Sequence, residues 1–501
     1  MRQLNVDCLI EILRYLEGDK ATLYSCLLVN RFWCKVSVRI LWEEPDVSTK
    51  VLNTLISCLP DESKNILHNN GIVSSSLNLL CPPGDHLCKK KVTSVPTSKP
   101  PLFNYASYCK VLSIFRIYSI AKLILNNQQS INTEENINLI TQEILKMFMS
   151  VSSLKKLSYT NYEDEDYNSH GNTKIPTNIT FVHFPGTKHC LTYLSEFTCT
   201  SSVHPEVFNQ LSKICYNIQS LNIKFNKHDD DMNGLKDLIS SQNNLKSLSL
   251  AYYETNHWVD IIHSLKVHSD TLIKLSIKGE ENHWPLSFIK DFGNLQELDI
   301  SLIYDNEDEE FLNCKHFEDL QHFTFPHLRK LNINLPKIFK PIMVKLIENN
   351  GKNLEEFQSK CKYSSANLVV SKHCLKLKSL HTVFSIYCEG LPRISLILIF
   401  KNCNKLESIE ILRRGADLSG KELLAVVAKN SPKNFRELKL HNYYEEIKPK
   451  DLESFFIMWK RRNPQKLLTL IFKDVCPKIN NEKDKIIGKY EKDDIIKIIK
   501  M

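Results

Sequence analysis

Glycine is scarce in this chain, at 13 of 501 residues, where an average protein has about 7%. Loops that cradle phosphate groups or expose a catalytic serine need glycines at short, fixed spacings. The sequence contains no G-x-G-x-x-G, no G-x-x-x-x-G-K-[ST] and no G-x-S-x-G motif. The usual signatures of nucleotide binding and acyl transfer are therefore absent.

Closely spaced cysteines are absent too. The 16 cysteines have no pair closer than Cys81 and Cys88, so neither C-x-x-C nor an accompanying H-E-x-x-H occurs. Many stand inside apolar runs, such as Cys26 in LYSCLLVN and Cys403 in FKNCNKLESI. This pattern is typical of free, buried cysteine in a reducing compartment.

The sequence also lacks the apolar runs of a signal peptide or a membrane span. Asp7 and Glu11 fall where a signal peptide needs an uncharged core. The longest strong apolar run, residues 394–400, is far too short to cross a bilayer. We therefore expect the protein in the cytoplasm, the nucleus or both, with no membrane partner.

Arginine contributes little to the basic charge. The formal net charge is +8, and only 12 of the 65 basic residues are arginine. A nucleic-acid-binding protein more often has clustered arginines, because the planar guanidinium group binds phosphate through two hydrogen bonds. Here the lysines are spread among acids, which indicates a solvated surface and no nucleic-acid partner.

Residues 4–42 are richer in apolar side chains than the rest, with 24 of 39 positions against 42% overall. The pattern predicts three short helices: Asn5 can cap the first, Asp19 can cap the second, and Asn30 opens the third. A segment of about 40 residues rarely buries enough surface to fold alone. It must pack either on its own chain or on a partner, and composition does not decide between the two.

This segment contains D-C-L-x-E-I-L-x-Y-L, an acidic-lysine turn, S-C-L-L-V-N-R-x-W and a closing L-W. In these features it resembles an F-box, especially those of the large expanded F-box families of fungi. The family's usual Leu-Pro start is Leu4-Asn5 here. The resemblance covers about 40 residues and places the domain at residues 1–45.

This resemblance implies docking to the Skp-type adaptor of a cullin–RING ubiquitin ligase. The matching positions include the first helix and the L-L-V-N-R-x-W stretch, without separating partner contacts from internal packing. The implied adaptor-binding residues are Leu4, Val6, Leu9, Ile10, Leu13, Leu27, Val29 and Trp33.

Residues 46–150 are predicted to be a helical connector. A flexible loop rich in proline and lysine is expected at about 81–101.

From residue 154 one phrase, apolar-x-x-apolar-x-apolar, recurs twelve times. From residue 194 its copies start 23 to 33 residues apart, close to the period of leucine-rich repeats, which this region resembles. Its phrases are LKKLSY, LSEFTC, IQSLNI, LKSLSL, LIKLSI, LQELDI, LRKLNI, LEEFQS, LKSLHT, LESIEI, FRELKL and LLTLIF.

The phrases predict an α/β solenoid over residues 151–501. In each, side chains alternate, so that Leu248 and Leu250 point inward while Ser247 and Ser249 face out. Helical stretches lie between the phrases. Stacked strand–helix units give an irregular leucine-rich-repeat horseshoe with a parallel sheet on its concave side. A doubly wound α/β domain would not repeat one phrase so often. The tail NEKDKIIGKYEKDDIIKIIK is expected to be a closing helix.

The outward strand positions are the natural binding surface of such an array. They are polar, mixed in sign and without an aromatic ladder, which favours a protein substrate of unknown identity. The predicted substrate-binding residues are Ser247, Ser249, Lys274, Ser276, Glu297, Asp299, Lys330, Asn332, His381, Glu410 and Lys439.

No catalytic centre is predicted. No carboxylate pair, nucleophile–base pair or metal-ligand cluster stands at a defensible spacing, and His381 and His441 are expected to be isolated polar residues. We therefore expect neither cofactor nor metal. The predicted function is a non-catalytic substrate receptor of a Skp–cullin–F-box ubiquitin ligase. The alternative is a leucine-rich-repeat interaction scaffold with no ligase role.

Overall fold

The computed structural model divides into two compact units, Met1–Leu245 and Lys246–Met501. It describes every residue except 1–4, 73–100, 127–133, 161–178, 226–231, 253–260, 280–285, 303–314, 336–338, 361–363, 385–391, 414–417, 445, 463–465, 474–480 and 501. The predicted flexible loop at about 81–101 lies almost wholly outside the described residues.

Three short helices open the first unit, as the sequence predicts: α1 (Val6–Arg14), α2 (Lys20–Cys26) and α3 (Arg31–Leu41). The side chain of Asp19 caps α2 by accepting a hydrogen bond from the Thr22 amide at 3.0 Å. The side chain of Asn30 caps α3 in the same way. Asn5 precedes α1 but its side chain makes no cap hydrogen bond, so its predicted capping role is wrong.

The front helices share a small core of their own, because α1 and α2 both pack on α3. Its buried members come from all three helices: Leu9, Leu13, Leu23, Cys26, Val36 and Ile40. Leu9 and Leu13 have exposed fractions of 0% and 1%. The inward stripe of α1 is therefore used for internal packing.

More helices follow in the first unit, and then its strands. The helices are α4 (Thr49–Cys58), α5 (Asp61–Asn69), a 3-10 helix (Tyr105–Tyr108), α6 (Ile114–Asn126), α7 (Glu134–Val151), α8 (Thr187–Leu191), α9 (Pro205–Ile214) and α10 (Asn233–Ser240). The strands are β1 (Val111–Ser113), β2 (Lys156–Tyr159), β3 (Glu196–Thr200) and β4 (Ser220–Phe225), paired in parallel and in chain order. Strand β1 lies inside the predicted connector, so the sheet begins earlier than the repeated phrase indicates.

The second unit alternates strands with helices. Its strands are β5 (Ser247–Tyr252), β6 (Lys274–Gly279), β7 (Glu297–Leu302), β8 (Lys330–Asn334), β9 (Glu356–Gln358), β10 (Ser379–Thr382), β11 (Ser408–Leu412), β12 (Glu437–His441), β13 (Leu468–Lys473) and β14 (Ile496–Lys500). Each pairs in parallel with the next.

The α-helices of this unit are α11 (Ile262–Leu265), α12 (Lys315–Glu318), α13 (Lys340–Asn350), α14 (Ser364–His373), α15 (Pro392–Asn402), α16 (Gly420–Asn430), α17 (Pro449–Lys460) and α18 (Asn481–Lys492). Four 3-10 helices join them: Lys266–His268, Leu286–Asp291, Asp319–His322 and Gly351–Asn353.

The predicted α/β repeat fold is confirmed. All twelve phrases form strands, and their inward residues are buried, with Leu248 and Leu250 exposed by 0% and 3%. The C-terminal tail was only half predicted, because helix α18 is followed by β14, whose Ile496 is buried. No helix of the described residues combines the length and apolarity needed to cross a bilayer.

Buried polar side chains join successive repeats of the second unit. Asn350 accepts a hydrogen bond from the Phe325 amide at 2.6 Å and donates one to the Phe323 carbonyl at 2.9 Å. The Cys403 thiol lies 3.4 Å from the Cys374 carbonyl. Such bonds satisfy backbone groups that the turns between repeats would otherwise bury unpaired. All ten cysteines in the described residues are free, and seven are buried.

Candidate functional site

The first candidate surface is apolar and lies on the front helices. Tyr15 and Leu28 have exposed fractions of 91% and 88%, and neighbouring apolar side chains are also uncovered. We call this set the front apolar surface; it comprises Val6, Ile12, Tyr15, Tyr24, Leu28 and Val29. All six are within 24 consecutive residues of the chain, and a concentration of exposed large apolar groups is a feature of interaction sites.

Only two of the predicted adaptor-binding residues belong to this surface. Val6 and Val29 are exposed, while Leu4 lies outside the described residues. Tyr15 and Tyr24 were not among the predicted contacts. The signal for Tyr15 was its position directly after α1 and away from the stripe of Leu9 and Leu13.

The other predicted adaptor-binding residues turn inward. Leu9 and Leu13 lie in the core of the front helices and offer no surface to a partner. Ile10 and Trp33 pack half-buried against that core, and Leu27 is also half-buried. The structure thus distinguishes the residues that pack inside the front helices from those that are exposed, a distinction that the sequence pattern did not make.

The second candidate surface is the polar strand face, formed by the outward side chains of β5–β14. Residues that pair with one another across successive strands form a row on this face. In the first row the side-chain charge alternates in sign, from Lys274 through Glu297 and Lys330 to Glu356. Lys274 Nζ lies 3.3 Å from a Glu297 oxygen, and Lys330 Nζ lies 3.1 Å from a Glu356 oxygen. The hydrogen bond to Glu356 raises the pKa of Lys330.

The second row of the polar strand face centres on Asp299. The Ser276 hydroxyl donates to Asp299 Oδ2 at 3.1 Å, and the Asn332 amide donates to Oδ1 at 2.9 Å. The Ser301 hydroxyl and the Lys278 ammonium approach the same carboxylate at 3.3 and 3.7 Å. One acid thus holds side chains from three strands.

Farther along the same row, His381 and Glu410 lie side by side, and His441 reaches Glu410 from two positions farther along β12. His441 Nε2 lies 2.6 Å from Glu410 Oε1, and His381 Nδ1 lies 3.9 Å from Glu410 Oε2. The two imidazole rings stack with their centroids 6.1 Å apart. Lys473 Nζ donates to Glu410 Oε1 at 2.8 Å. The expectation that these histidines are isolated is therefore wrong.

The pKa values in this cluster follow from burial and charge. Burial alone would raise the pKa of Glu410, but hydrogen bonds from Lys473 and His441 outweigh it and lower the pKa to about 2. Burial lowers the pKa of His381 to about 4, although the nearby carboxylate acts in the opposite direction. At neutral pH Glu410 is therefore an anion and His381 is neutral.

A shallow depression of about 270 Å³ lies on the polar strand face. Its walls come from β6–β11 and include Asp299, Lys330, His381 and Glu410. All eleven predicted substrate-binding residues are on this face, at strand positions between the buried ones. Ser276 is the exception in exposure, at 6%, because Asp299 holds it.

The chain is similar to solved structures at low sequence identity. No protein-family model matches it, and no curated protein matches it. A chain from the crystal structure of a Rad7 and Elc1 complex in yeast is 16% identical, over 62% of this chain and 76% of that one, with a TM-score of 0.42. The leucine-rich-repeat-containing protein LegL7 from Legionella pneumophila is 12% identical, over 60% and 97%, with a TM-score of 0.35.

Proposed function

We propose that this protein is the substrate-receptor subunit of a Skp–cullin–F-box type ubiquitin ligase. The front apolar surface docks on the Skp-type adaptor, and the polar strand face holds a protein substrate. The chain supplies position and specificity, while other subunits transfer ubiquitin.

This proposal rests on one observation: some apolar side chains of the front helices fill a core, while others stay exposed. Their core is already filled by Leu9, Leu13 and their neighbours. Even so, Tyr15, Leu28 and Val29 stay between 58% and 91% exposed. Fully burying a leucine-sized side chain is worth about 1.5–3 kcal/mol. These residues fall within the stretch that resembles an F-box, whose partner is the adaptor.

The polar strand face supports the second half of the proposal. Its exposed groups are paired with one another and mixed in sign, as Lys330 with Glu356 shows at 3.1 Å. A protein substrate offers both charges and hydrogen-bonding groups to such a surface, whereas a polyanion would meet as many acids as bases. The default ligand is therefore another protein.

The test uses exposed residues, because a change at Leu9 or Leu13 would disturb the core. Leu28→Asp is expected to abolish co-purification with a Skp-type adaptor, since it puts a charge into an apolar interface. Leu102, which is 83% exposed in the same unit, provides the matched control, and Leu102→Asp should leave co-purification unchanged. Tyr15→Asp and Tyr193→Asp form a second pair, at 91% and 67% exposure.

The co-purification experiment has two decisive outcomes. Loss of the adaptor with Leu28→Asp and Tyr15→Asp, but with neither control, supports the receptor role. Equal recovery of the adaptor with all four variants would rule out docking through this surface. Circular dichroism of each variant checks that the fold is unchanged.

A second candidate function is an interaction scaffold whose front helices only cap the sheet. It is favoured by the way the segment joins the first strand: the Glu43 carbonyl accepts from the amides of Lys110 and Val111 at 2.8 and 3.0 Å. The same two-amide pattern links later repeats, and Trp42 packs on Tyr105 with ring centroids 4.4 Å apart. Deleting residues 1–42 distinguishes the two: the scaffold loses stability, whereas the receptor loses the adaptor and keeps folded repeats.

A further inference from the structure

Three potential metal ligands meet on neighbouring strands of the polar strand face. His381 is on β10, Glu410 on β11 and His441 on β12. One ligand atom from each lies within 4.8 Å of the other two. Strand pairing puts His381 directly beside Glu410, and His441 lies two positions farther along the next strand.

The donor set suits a first-row divalent metal ion. Two imidazoles and one carboxylate are ordinary zinc ligands, with bonds of about 2.0–2.2 Å that place tetrahedral neighbours about 3.4 Å apart. His381 Nδ1 and Glu410 Oε2 are 3.9 Å apart, and His441 Nε2 and Glu410 Oε1 are 2.6 Å apart. Each separation differs from the tetrahedral value by less than about 1 Å. The two distances run to different oxygens of Glu410, so the three ligands would have to rotate to share one metal ion.

His381 has a ring nitrogen that the surrounding protein leaves unsatisfied. Its Nε2 is buried and has no hydrogen-bond partner among the described residues. Its Nδ1 faces the Glu410 carboxylate. An imidazole gives a metal ion one of its two nitrogens, and Nδ1 is the nitrogen that faces Glu410. The unpaired Nε2 shows that no hydrogen bond among the described residues holds the ring on its other side.

Lys473 competes for the same carboxylate. Its ammonium donates to Glu410 Oε1 at 2.8 Å, and its side chain is 32% exposed, against 16% for Glu410. The lysine can therefore swing into water when a cation arrives, while Glu410 remains in place. The lysine ammonium and a metal ion would both be drawn to the same carboxylate and would repel each other, so the Lys473 contact should weaken the binding of a metal ion.

The cluster opens on the depression of the polar strand face, to which His381 and Glu410 contribute. Three protein ligands leave one position of a tetrahedral zinc ion open for water or for a group on a bound protein. We propose that His381, Glu410 and His441 bind a divalent transition-metal ion, with Zn²⁺ as the reference ion. This proposal does not depend on the ligase role.

The test is a Zn²⁺ titration of the metal-stripped, full-length chain by calorimetry. Glu410→Gln and His441→Gln are expected to reduce the zinc stoichiometry by one site or to weaken that site by more than 100-fold. The loss should exceed the roughly 10–100-fold that results when only a neighbour of a metal ligand is changed. Glu407→Gln, a change on the same stretch of chain, is the matched control and should bind as the unaltered chain does.

Lys473→Met is expected to change the zinc affinity in the opposite direction. Removing the competing ammonium should tighten the site several-fold, a result that zinc bound adventitiously at cysteine thiols would not produce. Unchanged stoichiometry and affinity in both Glu410→Gln and His441→Gln would overturn the proposal. Weaker binding in Lys473→Met would overturn the competition that the geometry predicts.

Discussion

The front apolar surface and the polar strand face differ in how far their side chains are already satisfied. On the front helices, Tyr15 and Leu28 project into water with most of their area uncovered. On the strand face, Glu297, Asp299 and Glu410 each contact two or more polar groups of their own chain. The first surface gains free energy from almost any apolar cover, whereas the second must exchange existing contacts for new ones.

This difference has consequences for affinity and specificity. Burial of apolar area is non-directional and contributes roughly 25 cal/mol per Å². Replacing one polar partner by another changes little in free energy but depends strongly on geometry. The front helices are therefore suited to a constant partner, and the strand face to one that is selected by its pattern of polar groups.

The largest expected effect comes from the core of the front helices. Leu9→Ala should lower the free energy of unfolding of this segment by about 2–5 kcal/mol, because Leu9 is fully buried. Leu28→Ala, at a position 88% exposed, should change it by less than about 0.5 kcal/mol. Amide hydrogen exchange of residues 5–42 measures both. Equal effects would remove the distinction between core and surface.

An intermediate effect is expected at the centre of the second row on the strand face. Asp299→Ala should cost about 1.5–3 kcal/mol in urea unfolding, because it takes an acceptor from Ser276 and Asn332. Asp299→Asn keeps an oxygen for Asn332 and should cost less than the alanine variant. If the two variants were equally stable, the carboxylate network would contribute nothing and the face would be an ordinary solvated surface.

The sequence predicted the repeats well because strand burial has a period of two. Most phrases alternate apolar and polar residues, so Leu248 and Leu250 could be assigned to the inside from the pattern alone. The phrase LLTLIF does not, and its Ile471 is buried between Leu470 and Phe472. Strands β1 and β14 were missed because VLS and IKIIK lack the phrase. The helices of the front segment were found from their spacing and from the caps Asp19 and Asn30.

The candidate sites were harder to predict for a physical reason. Helix α1 is apolar on more than one face, so its sequence does not say whether Leu9 or Tyr15 is covered by the chain itself. On the strand face, His381 and Glu410 hold the same position in successive phrases, which predicts that they lie side by side once the strands pair in register. His441 lies two residues farther on, and its contact with Glu410 depends on rotamers that no pattern encodes.

The smallest effect is expected where the strand face is most exposed. Lys330, whose side chain is 45% exposed, stands between Glu297 and Glu356 with nearest oxygens at 3.8 and 3.1 Å. Lys330→Ala should lower the free energy of unfolding by less than about 1 kcal/mol, because water screens exposed pairs. The loss should shrink further in 1 M salt, where charges are screened beyond about 3 Å. Lys352→Ala, at another exposed lysine of the same unit, is the control.

A loss of unfolding free energy above about 2 kcal/mol that persists in salt would show that the strand face is a fixed network. Any protein bound there would then have to match that network, because its contacts could not be exchanged.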